Sequence, residues 1–336
     1  MDFRRHHWIF AATLCVLGNA HPLCAQPPET APTFRVPVRL VSVPTLVFSG
    51  EGTLLHGLEA GNFRLFDNGI EQPVTLDQVS PPFSAAIAIQ ANQSVHAYLP
   101  FIARTGSTFD ALLLGLSGDA AVFTYGDEVK LVRPFDHSAI APALSVLRST
   151  DHRARMFDAA MQAVELLKTQ PAARTRIVIL VGQPLDIGSS AEFESLKLEA
   201  QAAATAIFTI TLPEPGKPFV ADTFTSEDLS HVSERGGSRF AIDVGKLISV
   251  LNRRKSADKS DPFAMLAAAT GGTQIFANQQ RDFENGVASI GYQLRSAYQL
   301  SFKPSTGDPG YHNLRVEVDV PGAAVFARPG YWRTAE

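Results

Sequence analysis

Gln90, Asn92 and Ser94 set three neutral side-chain oxygens at i, i+2 and i+4, directly after the run Ser84-Ala85-Ala86-Ile87-Ala88-Ile89. Oxygens spaced this way on one loop could converge on a hard cation, yet none of them carries a charge. A divalent ion leaves water only when anionic ligands compensate it. The spacing is that of a metal site, and the residue types are those of a site that holds no metal. The preceding run is unbroken and follows Pro81-Pro82, which is how a strand buried on both faces of a parallel sheet reads. The loop after the carboxyl end of such a strand is where α/β sheets carry ligands.

The elements that must position this loop alternate. Leu99, Ile102, Phe109, Leu113 and Leu116 predict a helical stretch over 95–116, with Pro100 and Gly106 at odds with its start. Residues 119–125 and 129–132 read as two strands around Gly126-Asp127, followed by a helix at 137–148. Phe157, Ala160, Met161, Val164 and Leu167 give the next helix an apolar face. Buried strands at 176–181 and 207–212 enclose a helix at 191–204. This β-α-β order predicts a Rossmann-like α/β fold, a mostly parallel sheet with helices on both faces. Beyond it, a weak helix at 244–252 ends in Arg253-Arg254-Lys255, read as a solvated helix end. Asp261-Pro262 opens another helix that Gly271-Gly272 closes, and Phe283, Val287, Ile290 and Leu294 continue at helical spacing.

Both flanks are β-rich. From Phe34 to Phe48 the chain reads as strand, with Pro37 and Pro44 suggesting an edge. Asn62–Phe66 precedes Asp67-Asn68-Gly69, a hairpin signal, and residues 298–302 and 314–320 alternate. Neither flank is long enough to form a core alone, so 34–80 and 296–333 are expected to pair into one small β-sandwich, with 81–295 inserted between them.

The composition is that of a globular chain: 336 residues, 45% apolar and 18% charged. Arg4-Arg5, an apolar segment from Trp8 to Leu17, and Ala20 or Ala25 as cut points make residues 1–25 an expected signal peptide. Residues 26–33 then form a linker. Both cysteines, Cys15 and Cys24, fall inside residues 1–25 and follow leucine, which argues against a lipoprotein anchor; if cleavage follows Ala25, the mature chain has no thiol. No segment is long and apolar enough for an integral membrane span. The formal net charge of −4 implies no basic face for nucleic acid.

Leu58, the run Asn62-Phe63-Arg64-Leu65-Phe66-Asp67-Asn68-Gly69-Ile70-Glu71-Gln72, Gly118-Asp119 with Val122-Phe123, and Met156-Phe157-Asp158-Ala159 carry a resemblance. So do Leu266–Gly272, Leu294-Arg295-Ser296-Ala297-Tyr298 and Ala327-Arg328-Pro329-Gly330-Tyr331. Over about 34–333 the chain resembles the VWFA-related domain family of secreted bacterial proteins, built on a von Willebrand factor type A fold. The resemblance implies a divalent ion held by Asp-x-Ser-x-Ser, a Thr and a second Asp, with an open position for a partner's carboxylate. Here the first Asp matches Gln90, the two Ser match Asn92 and Ser94, the Thr matches Ala154 and the second Asp matches Gly182. Asp186 or Asp151 are the acids that could substitute. The loop also carries His152, Arg153 and Arg155, and a guanidinium could meet a partner's carboxylate in place of the ion; a solvated polar loop is the plainer reading.

No Gly-x-Ser-x-Gly, His-Glu-x-x-His or phosphate-binding glycine loop is present, and Ser256-Ala257-Asp258-Lys259 lacks its partner motifs. His56, His96, His137, His152, His231 and His312 have no ligand spacing, Asp119 and Asp158 read as structural, and Asn92-Gln93-Ser94 matches a glycosylation acceptor only incidentally. The expectation is a secreted or periplasmic, non-enzymatic protein without cofactor or metal. It would bind another extracytoplasmic protein around Gln90, Asn92, Ser94, Ala154, Arg155 and Gly182. Metal-dependent adhesion through substitute acids, or a hydrolase with an unrecognised site, are the alternatives.

Overall fold

The computed structural model describes residues 40–214, 216 and 260–333, except 52, 78–79, 116–117, 137, 150–151 and 305–308. The expected leader, the linker, the helix at 244–252, Ser256 to Lys259, His137, His231 and Asp151 lie outside the described residues.

Strand β1 (Val41–Phe48) is followed by the hairpin of β2 (Phe63–Asp67) and β3 (Ile70–Gln72), then β4 (Thr75–Asp77). The hairpin turns on Asn68 and Gly69, at φ of 48° and 83°. Two successive left-handed residues match the right-handed twist of the flanking strands, and Asn-Gly adopts them at least cost.

The α/β unit comprises β5 (Phe83–Gln90), α1 (Leu99–Arg104), β6 (Gly118–Tyr125), β7 (Val129–Asp136), α2 (Ala141–Ser145), α3 (Met156–Lys168), β8 (Thr175–Gly182), α4 (Phe193–Ala202), β9 (Thr205–Thr211), α5 (Pro262–Thr270), β10 (Gln274–Phe276) and α6 (Gln280–Ser296). Its sheet has the order β10-β9-β8-β5-β6-β7, parallel except for β7 at one edge. Alternate residues of β5 serve two cores. Ala85, Ile87 and Ile89 face α1 and α6 through Ile102, Phe283 and Ile290. Ala86 and Ala88 face α3 and α5 through Ala160, Val164 and Phe263, where two small residues let α3 pack close. The mostly parallel sheet with helices on both faces is as the β-α-β order predicts.

Local signals explain the best-formed helix ends. The Asp261 carboxylate accepts from Phe263 N (2.8 Å) and Ala264 N (3.1 Å), and Gly271 closes α5 at φ 93°. The helix expected over 95–116 is instead broken: a 3-10 segment at Gln93–Tyr98, α1, a turn at Gly106–Thr108 and a π-helical segment at Phe109–Leu114. Pro100 can only start a helix, and Gly106 sits where a Cβ would come within 2.5 Å of the Ala141 Cβ. Packing of α2 against that turn outweighs the helical period. The three-residue β10 was not expected from sequence. It joins β9 alone, and the chain reaches it through Gly272, which passes against the Ile207 backbone.

The chain then returns to β11 (Tyr298–Phe302), β12 (Gly310–Val318), β13 (Ala324–Ala327) and β14 (Gly330–Arg333). Two four-stranded sheets result, ordered β13-β1-β11-β4 and β14-β12-β2-β3. Each takes two strands from either flank, and their inner faces meet in a core of Val43, Val47, Phe63, Leu65, Leu300 and Phe302. The α/β unit leaves after β4 and returns into β11, which pair antiparallel, Leu76 opposite Leu300. An insertion whose ends emerge from neighbouring strands leaves the host sheet intact. The edge-strand expectation for Pro44 is corrected: β1 lies inside its sheet. Pairing with β13 starts only at Thr45, so at Pro44 the strand has β11 alone as neighbour and needs no second ladder bond.

Buried polar groups lock the sandwich. Asp67 accepts from the Tyr331 hydroxyl at 2.8 Å, with His312 Nδ1 2.8 Å from its other oxygen. Asp67→Ala removes both of these contacts and is expected to cost about 2–3 kcal/mol, read by urea unfolding through the fluorescence of Trp332 in β14. A loss under about 0.5 kcal/mol would show that the trio does not hold the sheets together.

Candidate functional site

β5 and β8 run in parallel register, Ile89 opposite Val181, so their carboxyl ends at Gln90 and Gly182 meet on one rim. Gln90 is buried there. Its Oε1 accepts from the backbone N–H of Gln183 at 2.7 Å. A backbone N–H can only donate, so this bond fixes which end of the amide is oxygen. The Gln90 Nε2 then points the other way and donates to Asn92 Oδ1 (3.0 Å) and Ser94 Oγ (3.1 Å). Asn92 is oriented in the same manner, because its Nδ2 donates to the carbonyl of Arg153 (3.0 Å) and reaches that of His152 (3.5 Å). Ser94 closes the ring by donating to Asn92 Oδ1 at 2.8 Å.

The neighbouring loop is tied down along its length. Ala154 is buried and exchanges backbone bonds with Ile187 (3.2 and 2.9 Å), while Arg153 N donates to Asp127 Oδ1 at 3.0 Å. The Arg155 guanidinium is engaged by Asp158 at 2.7 Å. Asp158 also accepts from the backbone of Ser190 and Ala191 (2.9 and 2.8 Å), which is the structural role its position predicts. The possible substitute Asp186 is engaged as well, accepting from Phe157 N at 2.9 Å and Ser189 Oγ at 2.6 Å to cap α3.

Gly182 leaves no room for a side chain. A Cβ there would lie 2.5 Å from Gln90 Oε1 and 2.7 Å from Gln90 Cβ, and closer still to the Tyr125 hydroxyl. Tyr125 is fully buried, and its hydroxyl donates to the Val181 carbonyl at 3.3 Å. Burial, and secondly the Asp186 charge, push its phenol far above the usual range.

These residues do not fit a divalent cation. The two oxygens best placed to ligate, Asn92 Oδ1 and Ser94 Oγ, already receive the hydrogens of Gln90 Nε2. A metal would need those hydrogens removed and two negative charges supplied. Among the described residues no group of three or more His, Cys, Asp or Glu could hold an ion.

Five parallel strands with one antiparallel edge strand, helices on both faces, and a ligand rim at the ends of the adjacent strands β5 and β8 define the unit. That is the architecture that the resemblance in the sequence to the von Willebrand factor type A fold implies. Solved structures of similar fold include a von Willebrand factor type A protein from Catenulispora acidiphila, at 13% identity and a TM-score of 0.44, covering 90% of this chain and 65% of that one. An aerotolerance-related membrane protein from Bacteroides fragilis is similar at 10% identity and a TM-score of 0.41, covering 63% of this chain and 98% of its own. BatB from Bacteroides thetaiotaomicron is similar at 11% identity and a TM-score of 0.38, with coverage of 62% and 99%. No family model and no curated protein matches the chain.

In this α/β unit, Gln90, Asn92, Ser94 and Gly182 do come together, with Ala154 and Arg155 on the adjoining loop. Sequence reasoning missed Gln183, Tyr125 and Asp127. Gln183 acts through its backbone N–H and Asp127 through one bond to a loop N–H, which leave no residue-type signature; Tyr125 ends a strand already recognised.

Gly182→Ala is expected to lower stability by about 1–3 kcal/mol, seen as a fall in the denaturation midpoint; a neutral result would mean that the Gln90 and Tyr125 side chains are loosely held. The Tyr125 phenol stays neutral in the fold while the unfolded chain ionises near its ordinary pKa of 10.0. Its contribution is therefore complete below that pH and lost as pH rises above it. Tyr331 is raised in the same sense by burial, so Tyr125→Phe should flatten part of the alkaline loss of melting temperature. An unchanged slope would contradict this.

Proposed function

We propose that this chain is an exported, non-enzymatic protein-binding or scaffold protein whose von Willebrand factor A-like rim meets another extracytoplasmic protein without a metal ion. The observation that carries the reading is the closed amide ring: Gln90 Nε2 stands as hydrogen donor to the same oxygens that a cation would need. Export rests on the leader pattern of residues 1–25.

The surface beside the ring supports a direct contact. Leu185 and Ile187 are 51% and 42% exposed on the loop after β8, an unusual concentration of large apolar side chains at one loop tip. Arg153 is exposed, forms no ion pair among the described residues, and lays its stem over Gly188. The cation that faces a partner is therefore Arg153, since Arg155 is committed to Asp158. A rim of this kind suits an acidic side chain flanked by apolar ones.

A photo-crosslinking residue at Ile187, compared with one at Ile70 on the sandwich, tests the surface. A partner should be captured only from position 187, with yield falling about tenfold in Arg153→Ala, the effect of roughly 1.4 kcal/mol. Equal capture from both positions, or no effect of Arg153→Ala, would refute the rim as the contact. Calorimetric titration of Mg²⁺ should give no saturable heat; a chelator-reversible rise in melting temperature would restore metal-dependent adhesion.

A further inference from the structure

The loop that follows β8 has one finished edge and one open edge. Ile187 gives both of its backbone groups to Ala154, the N–H at 2.9 Å and the carbonyl at 3.2 Å. In an antiparallel pair the residues on either side of a bonded one turn their N–H and C=O groups to the opposite edge. Asp186 is such a residue: its backbone N–H and C=O have no hydrogen-bond partner among the described residues, and Leu185, Ile187 and Gly188 around it are exposed.

This open edge is held still. Asp186 Oδ1 accepts from Phe157 N at 2.9 Å, and on the facing loop Asn92 Nδ2 donates to the Arg153 carbonyl and Arg153 N to Asp127, each at 3.0 Å. An edge ordered in advance spares a ligand part of the entropy cost of docking. Its two faces differ in chemistry. Ala154 stands opposite Ile187, which sets Arg153 opposite Gly188, and the Arg153 Cδ lies 3.3 Å from where a Cβ on Gly188 would be. Successive side chains alternate across a strand, so Arg153 crosses Gly188 on one face while Leu185 and Ile187 present the other.

We infer, resting on the rim reading above, that the partner docks here as an extended segment that adds an antiparallel strand along Leu185 to Gly188. Its backbone exchanges both bonds with Asp186, apolar side chains lie opposite Ile187 and Leu185, and an acidic side chain opposite Gly188 meets the Arg153 guanidinium. The recognised pattern is therefore acid, apolar, any residue, apolar. A second copy of this chain does not supply it: pairing two such edges about Asp186 sets Pro184 opposite Gly188 and one Asp186 carboxylate opposite the other.

The test is a nitrogen-15 NMR titration of the full chain with the peptide acetyl-Thr-Asp-Val-Thr-Val-Thr-amide. The amide signals of Asp186 and Gly188 should shift saturably at millimolar peptide. Methylating the backbone nitrogen of the Thr between the two Val, the residue that faces Asp186, should abolish the shift. Replacing the peptide Asp by Asn should weaken binding about fivefold, the scale of one exposed charge pair, and Arg153→Ala should erase that difference. The fold is anchored at this residue through its backbone N–H and carbonyl, which the substitution keeps. No saturable shift at Asp186, or undiminished binding of the methylated peptide, would overturn strand addition; capture of a partner from position 187 would then leave the rim reading standing without it. The same shifts produced by raising the concentration of the chain alone would assign the edge to a second copy and overturn the inference as well.

Discussion

One hydrogen bond sets the character of the rim: the Gln183 backbone N–H to Gln90 Oε1, 2.7 Å long and buried. It dictates that the other end of the Gln90 amide is a donor, and a donor at that place claims the oxygens of Asn92 and Ser94. On the proposed reading, those hydrogens stand where a cation would draw on the same oxygens. Leaving Gln90 or Asn92 unpaired would cost more than a typical bond contributes, since a buried polar group without a partner bears its full desolvation penalty. The ring also ties the backbone of the adjoining loop through Asn92 Nδ2.

Steric exclusion reinforces the chemistry. Tyr125 and Gln90 fill the volume in front of Gly182, so a carboxylate could not be restored at residue 182 without moving both. Beneath the rim, the alternation of Ala86 and Ala88 with Ile87 and Ile89 fixes which helices cover which face. The sandwich below takes half of each sheet from either flank, which makes the whole described assembly depend on contacts between residues more than two hundred positions apart, such as Asp67 with His312 and Tyr331.

What was legible in the sequence was whatever a few adjacent residues determine. Asn68-Gly69 specifies its turn, Asp261-Pro262 and Gly271 specify both ends of α5, and the run before Gln90 specifies a strand buried on both faces. The oxygens at 90, 92 and 94 were legible as a group because they share one loop. The direction of the Gln90 amide was not, because it is set by a residue 93 positions away. Arg155 could not be separated from Arg153 by type alone; only the position of Asp158 one helical turn on decides which is spent. The interior place of β1 was hidden for the same reason: Pro44 marks an edge only if the neighbouring strand extends past it, and β13 does not.

The side-chain amide protons of Gln90 and Asn92 report on the ring directly. In a nitrogen-15 NMR spectrum of the folded chain, the proposed metal-free rim predicts that both NH₂ groups exchange slowly with water and keep their intensity as Mn²⁺ is added. Selective broadening of those two signals at low Mn²⁺, relieved by a chelator, would contradict the assignment and show that the rim still takes a cation.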